Sequence, residues 1–185
     1  HNVKLKNGYE VQIAPLHGGV NVKQITDFVN GLVEERLFIS RDKKTSTREQ
    51  SMHIGIHKAK IKQGLTEYLI ALHGKQIIAQ AIAERFEHRV RGNVFIRLYV
   101  AGKYRRLGLG EKMIQLLLAR LKRKKGLVNA YIEVAEKNLP AIKFYRKLGF
   151  RKIALLPNWM EYGEGYINAV AMIMDLKKHL QKART

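Results

Sequence analysis

The 185-residue sequence contains no cysteine. That excludes a disulfide framework, a thiolate nucleophile and any cysteine-ligated zinc site. It suits a reducing compartment, so a cytoplasmic protein is expected. Proline is scarce, with 3 residues in the whole chain, and no Pro/Gly-rich linker, repeat or low-complexity tract divides it. One domain is therefore expected over residues 9–176, with an N-terminal tail over 1–8 and a basic C-terminal tail over 177–185. No stretch approaches the roughly 18 apolar residues of a membrane span. The opening His1-Asn2-Val3-Lys4 has no signal-peptide apolar run, and no membrane partner is expected. Acidic residues are also few: 15 Asp and Glu stand against 35 Lys and Arg, a formal net charge of +20. Such an excess attracts polyanions, so a polyanionic partner is a candidate beside a merely solvated basic surface, and a nucleic-acid- or ribosome-associated binding module is the alternative to an enzyme.

What is present is a hydrophobic fraction of 46%, enough to build a core. Glu10 to Ala14 reads as a strand. Val22, Ile25, Val29, Leu32 and Val33 have helical spacing within Asn21–Phe38. Ser46-Thr47-Arg48-Glu49 forms a capping box for a helix reaching about Gln63. Glu67–His73 and Gln76–Phe86 read as a hairpin, and Val94–Val100 as a central strand. Met113, Leu117 and Leu121 mark an amphipathic helix ending near Lys125. A strand over Val128–Ala135, a short helix opened by Pro140, and strands over Phe150–Leu156 and Tyr166–Leu176 complete the order. The expectation is an α/β protein with a mixed central sheet of about seven strands and four flanking helices.

Between the central strand and the amphipathic helix runs Val100-Ala101-Gly102-Lys103-Tyr104-Arg105-Arg106-Leu107-Gly108-Leu109-Gly110. Glycines bring backbone N–H groups close to a ligand, and the helix N-terminus adds unpaired donors and a partial positive charge. Arg105 and Arg106 add full charges, so this is a candidate anion site. A nucleoside-triphosphate P-loop would end in Gly-Lys-Ser/Thr, but Gly110 is followed by Glu111-Lys112-Met113. A dinucleotide fingerprint would need glycine at Met113.

The pattern Arg105-x-x-Gly108-x-Gly110 resembles the cofactor loop of the GNAT superfamily of acyl-CoA N-acetyltransferases. So does Asn138-x-x-Ala141-x-x-Phe144-Tyr145-x-x-x-Gly149-Phe150, which begins 28 residues after Gly110. The resemblance implies the GNAT fold, splayed between the strand ending at Val100 and the strand Val128–Ala135. It implies acetyl-CoA as cosubstrate, with its pantetheine arm along the backbone of Leu98, Tyr99 and Val100. The pyrophosphate is expected on the N–H groups of Arg105, Arg106, Leu107, Gly108, Leu109 and Gly110. Asn138, Ala141 and Tyr145 are expected beside the arm and sulfur.

Amide formation needs a base, an oxyanion donor and an acid for the leaving thiolate. The resemblance gives the acid to Tyr145, which otherwise reads as an aromatic packed on the sheet, and the oxyanion donor to the Val100 N–H. Glu133 is the candidate base, since a carboxylate between apolar strand residues is costly unless it faces a cleft or partner. Its place 12 residues before Tyr145 is similar to the Glu–Tyr pair of ribosomal-protein alanine N-acetyltransferases. Glu84, Glu87 and His88 are rival bases. With no cysteine and no serine nucleophile in view, direct attack by an amine in a ternary complex is expected. The acceptor, protein or small molecule, stays open. In the aromatic and acidic segment Trp159–Tyr166, Glu161 and Glu164 either hold a cationic amine or decorate a solvated hairpin tip. Glu49, His53 and His57 have metal-ligand spacing on a helix but no fourth ligand, and no metal is expected. Monomer and homodimer are both compatible with the sequence.

Overall fold

The computed structural model describes residues 1–16, 19–35 and 38–177. Its elements are β1 (Asn2–Lys4), β2 (Glu10–Pro15), α1 (Val22–Glu34), α2 (Thr47–Lys62), β3 (Thr66–His73), β4 (Gln76–Arg85), β5 (Asn93–Val100), α3 (Leu109–Leu121), β6 (Asn129–Ala135), α4 (Leu139–Lys147), β7 (Arg151–Tyr162) and β8 (Gly165–Asp175). The strands form one mixed sheet in the order β1-β2-β3-β4-β5-β6-β8-β7. The backbone divides into two compact units, His1–Glu84 with Arg97–Arg123, and Arg85–Ile96 with Lys124–Thr185.

In the first unit, β1 to β4 run antiparallel. The apolar stripe of α1 buries Ile25, Phe28 and Leu32 against Ile54 of α2 and against Tyr68, Ile70, Ile77 and Ile82 of the sheet. Each fully buried aliphatic of this kind contributes about 1.5–3 kcal/mol. Local signals set the helix starts. Asn21 Oδ1 caps α1 by accepting the Lys23 N–H at 2.8 Å. Ser46 and Glu49 close a reciprocal capping box on α2, with Ser46 N–H donating to Glu49 at 2.8 Å and Glu49 N–H to Ser46 Oγ at 3.2 Å. The helix α3 buries Met113, Ile114, Leu117, Leu118 and Leu121.

In the second unit, the start of β5 pairs in parallel with β6 through Asn93↔Asn129, Val94↔Ala130 and Phe95↔Tyr131. The strand β6 then pairs antiparallel with β8 along its whole length, and β8 with β7. Ala130, Ile132 and Val134 of β6 and Met172 and Met174 of β8 are buried, as are Ile142 and Tyr145 of α4.

The sheet has eight strands where about seven were expected. The extra strand comes from residues 1–8, expected as a tail: Asn2–Lys4 pairs with Glu10–Gln12, and Leu5 beside it is only 5% exposed. The helix α1 ends at Glu34, short of the expected Phe38; residues 36 and 37 of that stretch lie outside the described residues. The expected basic tail lies outside them too, apart from Lys177. The strand β7, expected to stop at Leu156, continues to Tyr162 through Pro157. It lies at the edge of the sheet, where a missing proline N–H removes no interior ladder bond.

Candidate active site

The loop after β5 belongs to the first unit and is tied down before it turns. Ala101 N–H donates to the Ile78 carbonyl at 2.9 Å. Tyr104 is buried at 4% exposure, its hydroxyl 2.9 Å from His73 Nδ1, and Tyr9 stacks on the His73 ring at 4.8 Å. Arg105 then folds back on the chain. Its Nε donates to the Val100 carbonyl at 2.8 Å, its Nη2 pairs with the Glu35 carboxylate, and its backbone N–H donates to Gly102 at 3.1 Å. The amides left for an anion are those beyond Arg105.

Those amides sit in a left-handed turn. Arg106 has φ +61°, which a non-glycine residue rarely adopts, and Gly108 has φ +88°. Left-handed residues within a turn aim neighbouring N–H groups into one concavity, the geometry of an anion nest. Gly108 is the N-cap of α3 and no side chain caps that end. The first bond of the helix runs from Lys112 N–H to Gly108 at 3.2 Å, so the amides of Leu109 and Gly110 lie outside its own bonding. The dipole of α3 adds positive potential at the same place. Leu98, Tyr99 and Val100 form the end of β5 in this unit.

In the second unit, Tyr131 and Glu133 stand two apart on β6 and share a face. Tyr131 Oη donates to Glu133 Oε1 at 2.9 Å, and Trp159 Nε1 donates to Glu133 Oε2 at 2.9 Å. Both carboxylate oxygens are oriented by neutral donors, and each keeps a lone pair for a substrate proton. Burial first, then the bond to Glu133 and its charge, push the Tyr131 phenol up to about 12. Tyr131 is therefore a donor at neutral pH and not a competing base. Asn138 caps α4, its Oδ1 accepting the Ala141 N–H at 3.3 Å. Tyr145 is 7% exposed, with its ring edge-on to Phe144 at 5.0 Å and Phe150 at 5.5 Å. Glu161 and Glu164 are exposed at the end of the β7–β8 hairpin, beside the exposed Tyr162 and Tyr166.

The rival bases stand in poorer settings. Glu84 pairs with Arg97, and Lys60 Nζ lies 3.6 Å from it. Burial would raise its carboxyl, but the hydrogen bond and charge of Arg97, with His57 and Lys60, outweigh burial and hold it below the usual carboxylate range. Such a carboxylate is a weak base. Glu87 and His88 are exposed in the second unit. Among the described residues no group of three or more His, Asp or Glu is arranged to hold a metal. His57 instead packs edge-on to Tyr68 at 5.2 Å.

Two partners escaped sequence reasoning. Trp159 reaches Glu133 because the β7–β8 register breaks between Leu156 and Met160, where Asn158 has φ +50°. A bulge of this kind re-aims a side chain. The Pro157-Asn158 pair inside an apolar run was its available signal. Glu35 binds the anion loop from 70 positions away, and no local pattern announces that.

The model of the acetyltransferase (GNAT) family matches residues 33–150, more than half of the chain. The chain belongs to that family. An N-alpha-acetyltransferase of Sulfurisphaera tokodaii is 35% identical over 74 residues, which is 40% of this chain and 44% of the relative. The chain thus matches less than half the length of that curated relative. Among solved structures, a ribosomal-protein-alanine N-acetyltransferase from Brucella melitensis superposes with a TM-score of 0.77 at 16% identity, covering 89% of this chain and 99% of that one. A Salmonella typhimurium protein, solved with its cofactor acetyl-CoA, gives 0.76 at 19% identity, covering 90% and 94%. These likenesses establish the GNAT fold.

Proposed function

We propose that the protein is an acetyl-CoA-dependent N-acetyltransferase that moves acetyl to a primary amine by direct attack in a ternary complex. The observation that carries this reading is the left-handed turn at Arg106 and Gly108 leading into the uncapped start of α3. It fits a pyrophosphate in charge and donor geometry. The amides of residues 106–110 hold the pyrophosphate, and the backbone of Leu98–Val100 pairs with the pantetheine arm. Acetyl-CoA, when bound, supplies the activated acyl group. Glu133, set by Tyr131 and Trp159, takes a proton from the attacking ammonium. The Val100 N–H stabilises the thioester oxygen as it gains charge. Tyr145 gives its proton to the departing thiolate and is reprotonated by the second proton of the acceptor nitrogen, which leaves as the amide forms. The exposed Glu161, Glu164, Tyr162 and Tyr166 suit a cationic acceptor, with carboxylates for the charge and ring faces for cation–π contact. A peptide α-amine is the acceptor we favour, since the Sulfurisphaera tokodaii relative is an N-alpha-acetyltransferase.

One experiment tests the roles together: calorimetry with acetyl-CoA, then steady-state acetyl transfer to short peptides. Tyr145→Phe is expected to lower kcat by about 10²-fold with acetyl-CoA affinity within about twofold of the parent. Glu133→Gln should slow turnover most at low pH, where the amine is hardest to deprotonate. Unchanged turnover in Tyr145→Phe removes that residue from the mechanism. An unchanged pH profile in Glu133→Gln gives the proton to water. Failure of acetyl-CoA to bind would end the reading itself.

A further inference from the structure

The contact between the end of α1 and the anion loop plays no part in the chemistry above. Glu35 follows α1, and its backbone N–H still donates to Gly31 at 3.2 Å, so the helix end sets where its carboxylate lies. A carboxylate at a helix C-terminus faces the negative end of the dipole, an unfavourable place. Here three features hold it. Oε1 accepts the Gly102 N–H at 2.9 Å. Oε2 pairs with Arg105 Nη2. Residue 102 is glycine, and a Cβ there would stand 3.3 Å from both carboxylate oxygens, closer than ordinary contact.

Arg105 completes the bracing. While one arm of its guanidinium meets Glu35, its Nε donates to the Val100 carbonyl at 2.8 Å. One carboxylate thus fastens Gly102 and Arg105, and through Arg105 the end of β5. The strained Arg106 and the turn to α3 come immediately after this brace in the chain. A loop held in its binding shape beforehand loses less freedom when a ligand arrives.

We infer that Glu35 is a positioning residue: it uses Arg105 as a brace and sets the amides of residues 106–110 for a pyrophosphate. The inference rests on the acetyl-CoA reading of that loop. It changes the role expected of the Arg105 side chain, which braces the loop and does not itself neutralise phosphate. It also opposes simple electrostatics. A carboxylate that merely lies near an anion site repels the anion, so its removal should tighten binding.

The direction of change decides the matter. Acetyl-CoA is titrated into the full-length parent, Glu35→Ala and Glu35→Gln at one fixed ionic strength, and kcat is measured at saturating acetyl-CoA. We expect Glu35→Ala to bind about tenfold more weakly. Glu35→Gln should fall between, because its amide oxygen still accepts the Gly102 N–H but carries no charge for Arg105. The kcat at saturation should stay within about twofold, and the thermal midpoint should barely move, because a partly exposed ion pair adds little stability. In an Arg105→Gln background the loss on removing Glu35 should shrink, since the brace is already gone. If the parent binds and Glu35→Ala binds as well or better, the inference is wrong while the acetyl-CoA reading stands. A thermal midpoint that falls together with the affinity would also overturn it, as the sign of a merely structural contact. If the parent itself does not bind acetyl-CoA, both fall.

Discussion

Glu84 and His57 show how a pair of side chains fixes its charge state through neighbours far apart in sequence. Burial pushes the His57 imidazole below its ordinary value of 6.5; the Glu84 charge opposes this, while Arg97, Lys60 and His53 act with burial. The His57 Nδ1 stands 3.8 Å from Glu84 and has no hydrogen-bond partner among the described residues. At neutral pH the pair is therefore a carboxylate beside a neutral ring. The consequence for stability has a definite sign. As pH falls through 6.5, an unfolded chain takes up a proton that native His57 resists, so stability declines. The contribution of Glu84 is lost lower, as pH falls from its ordinary 4.5 through its depressed native value. We expect the urea midpoint to fall between about pH 7 and about pH 5.5, and His57→Gln to flatten most of that fall. An identical slope in the variant would place its origin in another group.

At the scale of elements, the strand–loop–helix unit around Gly108 depends on one backbone conformation. Gly108 has φ +88°, and a Cβ there would meet nothing within 4 Å, so the demand is conformational and not steric. A β-branched residue in that region costs about 1–3 kcal/mol, and asparagine less, because asparagine enters the left-handed region more readily. Acetyl-CoA affinity should therefore decline in the order Gly108, Gly108→Asn, Gly108→Val, read by calorimetry. Equal losses for Asn and Val would show that the loop does not need the left-handed turn. This unit was legible in the sequence because its determinants are local: glycines at fixed spacing, arginines beside them and the apolar rhythm of α3. The capping box of α2 was legible for the same reason. What stayed hidden depends on long-range pairing. Proline at position 157 reads as a strand terminus, yet an edge strand can carry it, and β7 runs on. The Trp159–Glu133 bond depends on three strands and one register break, so Glu133 could be nominated from its neighbours but its partner could not. Arg105 is legible as part of the loop, and its brace to Glu35 is not, because the contact spans most of the first unit.

At the scale of the whole molecule the net charge of +20 exceeds what one phosphate-bearing ligand needs. Much of it lies outside the anion loop. Lys143, Arg146 and Lys152 line a groove of about 320 Å³ in the second unit, together with one carboxylate, Glu136, and with Leu139, Ile142, Leu155 and Val170. None of these three cations has a carboxylate partner among the described residues. Lys122 and Arg123, at the C-terminal end of α3, add to the same excess. Cations without partners bind phosphate chains by releasing condensed counterions, so affinity must fall steeply with salt. We expect a single-stranded RNA of about 20 nucleotides to bind at about 50 mM salt, with a log–log salt slope of about −3 or steeper. Saturating acetyl-CoA separates two ways of binding. If the RNA occupies the loop at residues 105–110, acetyl-CoA displaces it. If it uses the unpaired cations, the two bind together, and Lys143→Ala with Lys152→Ala lowers RNA affinity without touching that for acetyl-CoA. Co-binding is the expected result, because Lys143, Arg146 and Lys152 are exposed side chains of the second unit, whereas the proposed pyrophosphate loop belongs to the first. Absence of RNA binding at low salt would mean that the excess charge serves only to keep the surface solvated.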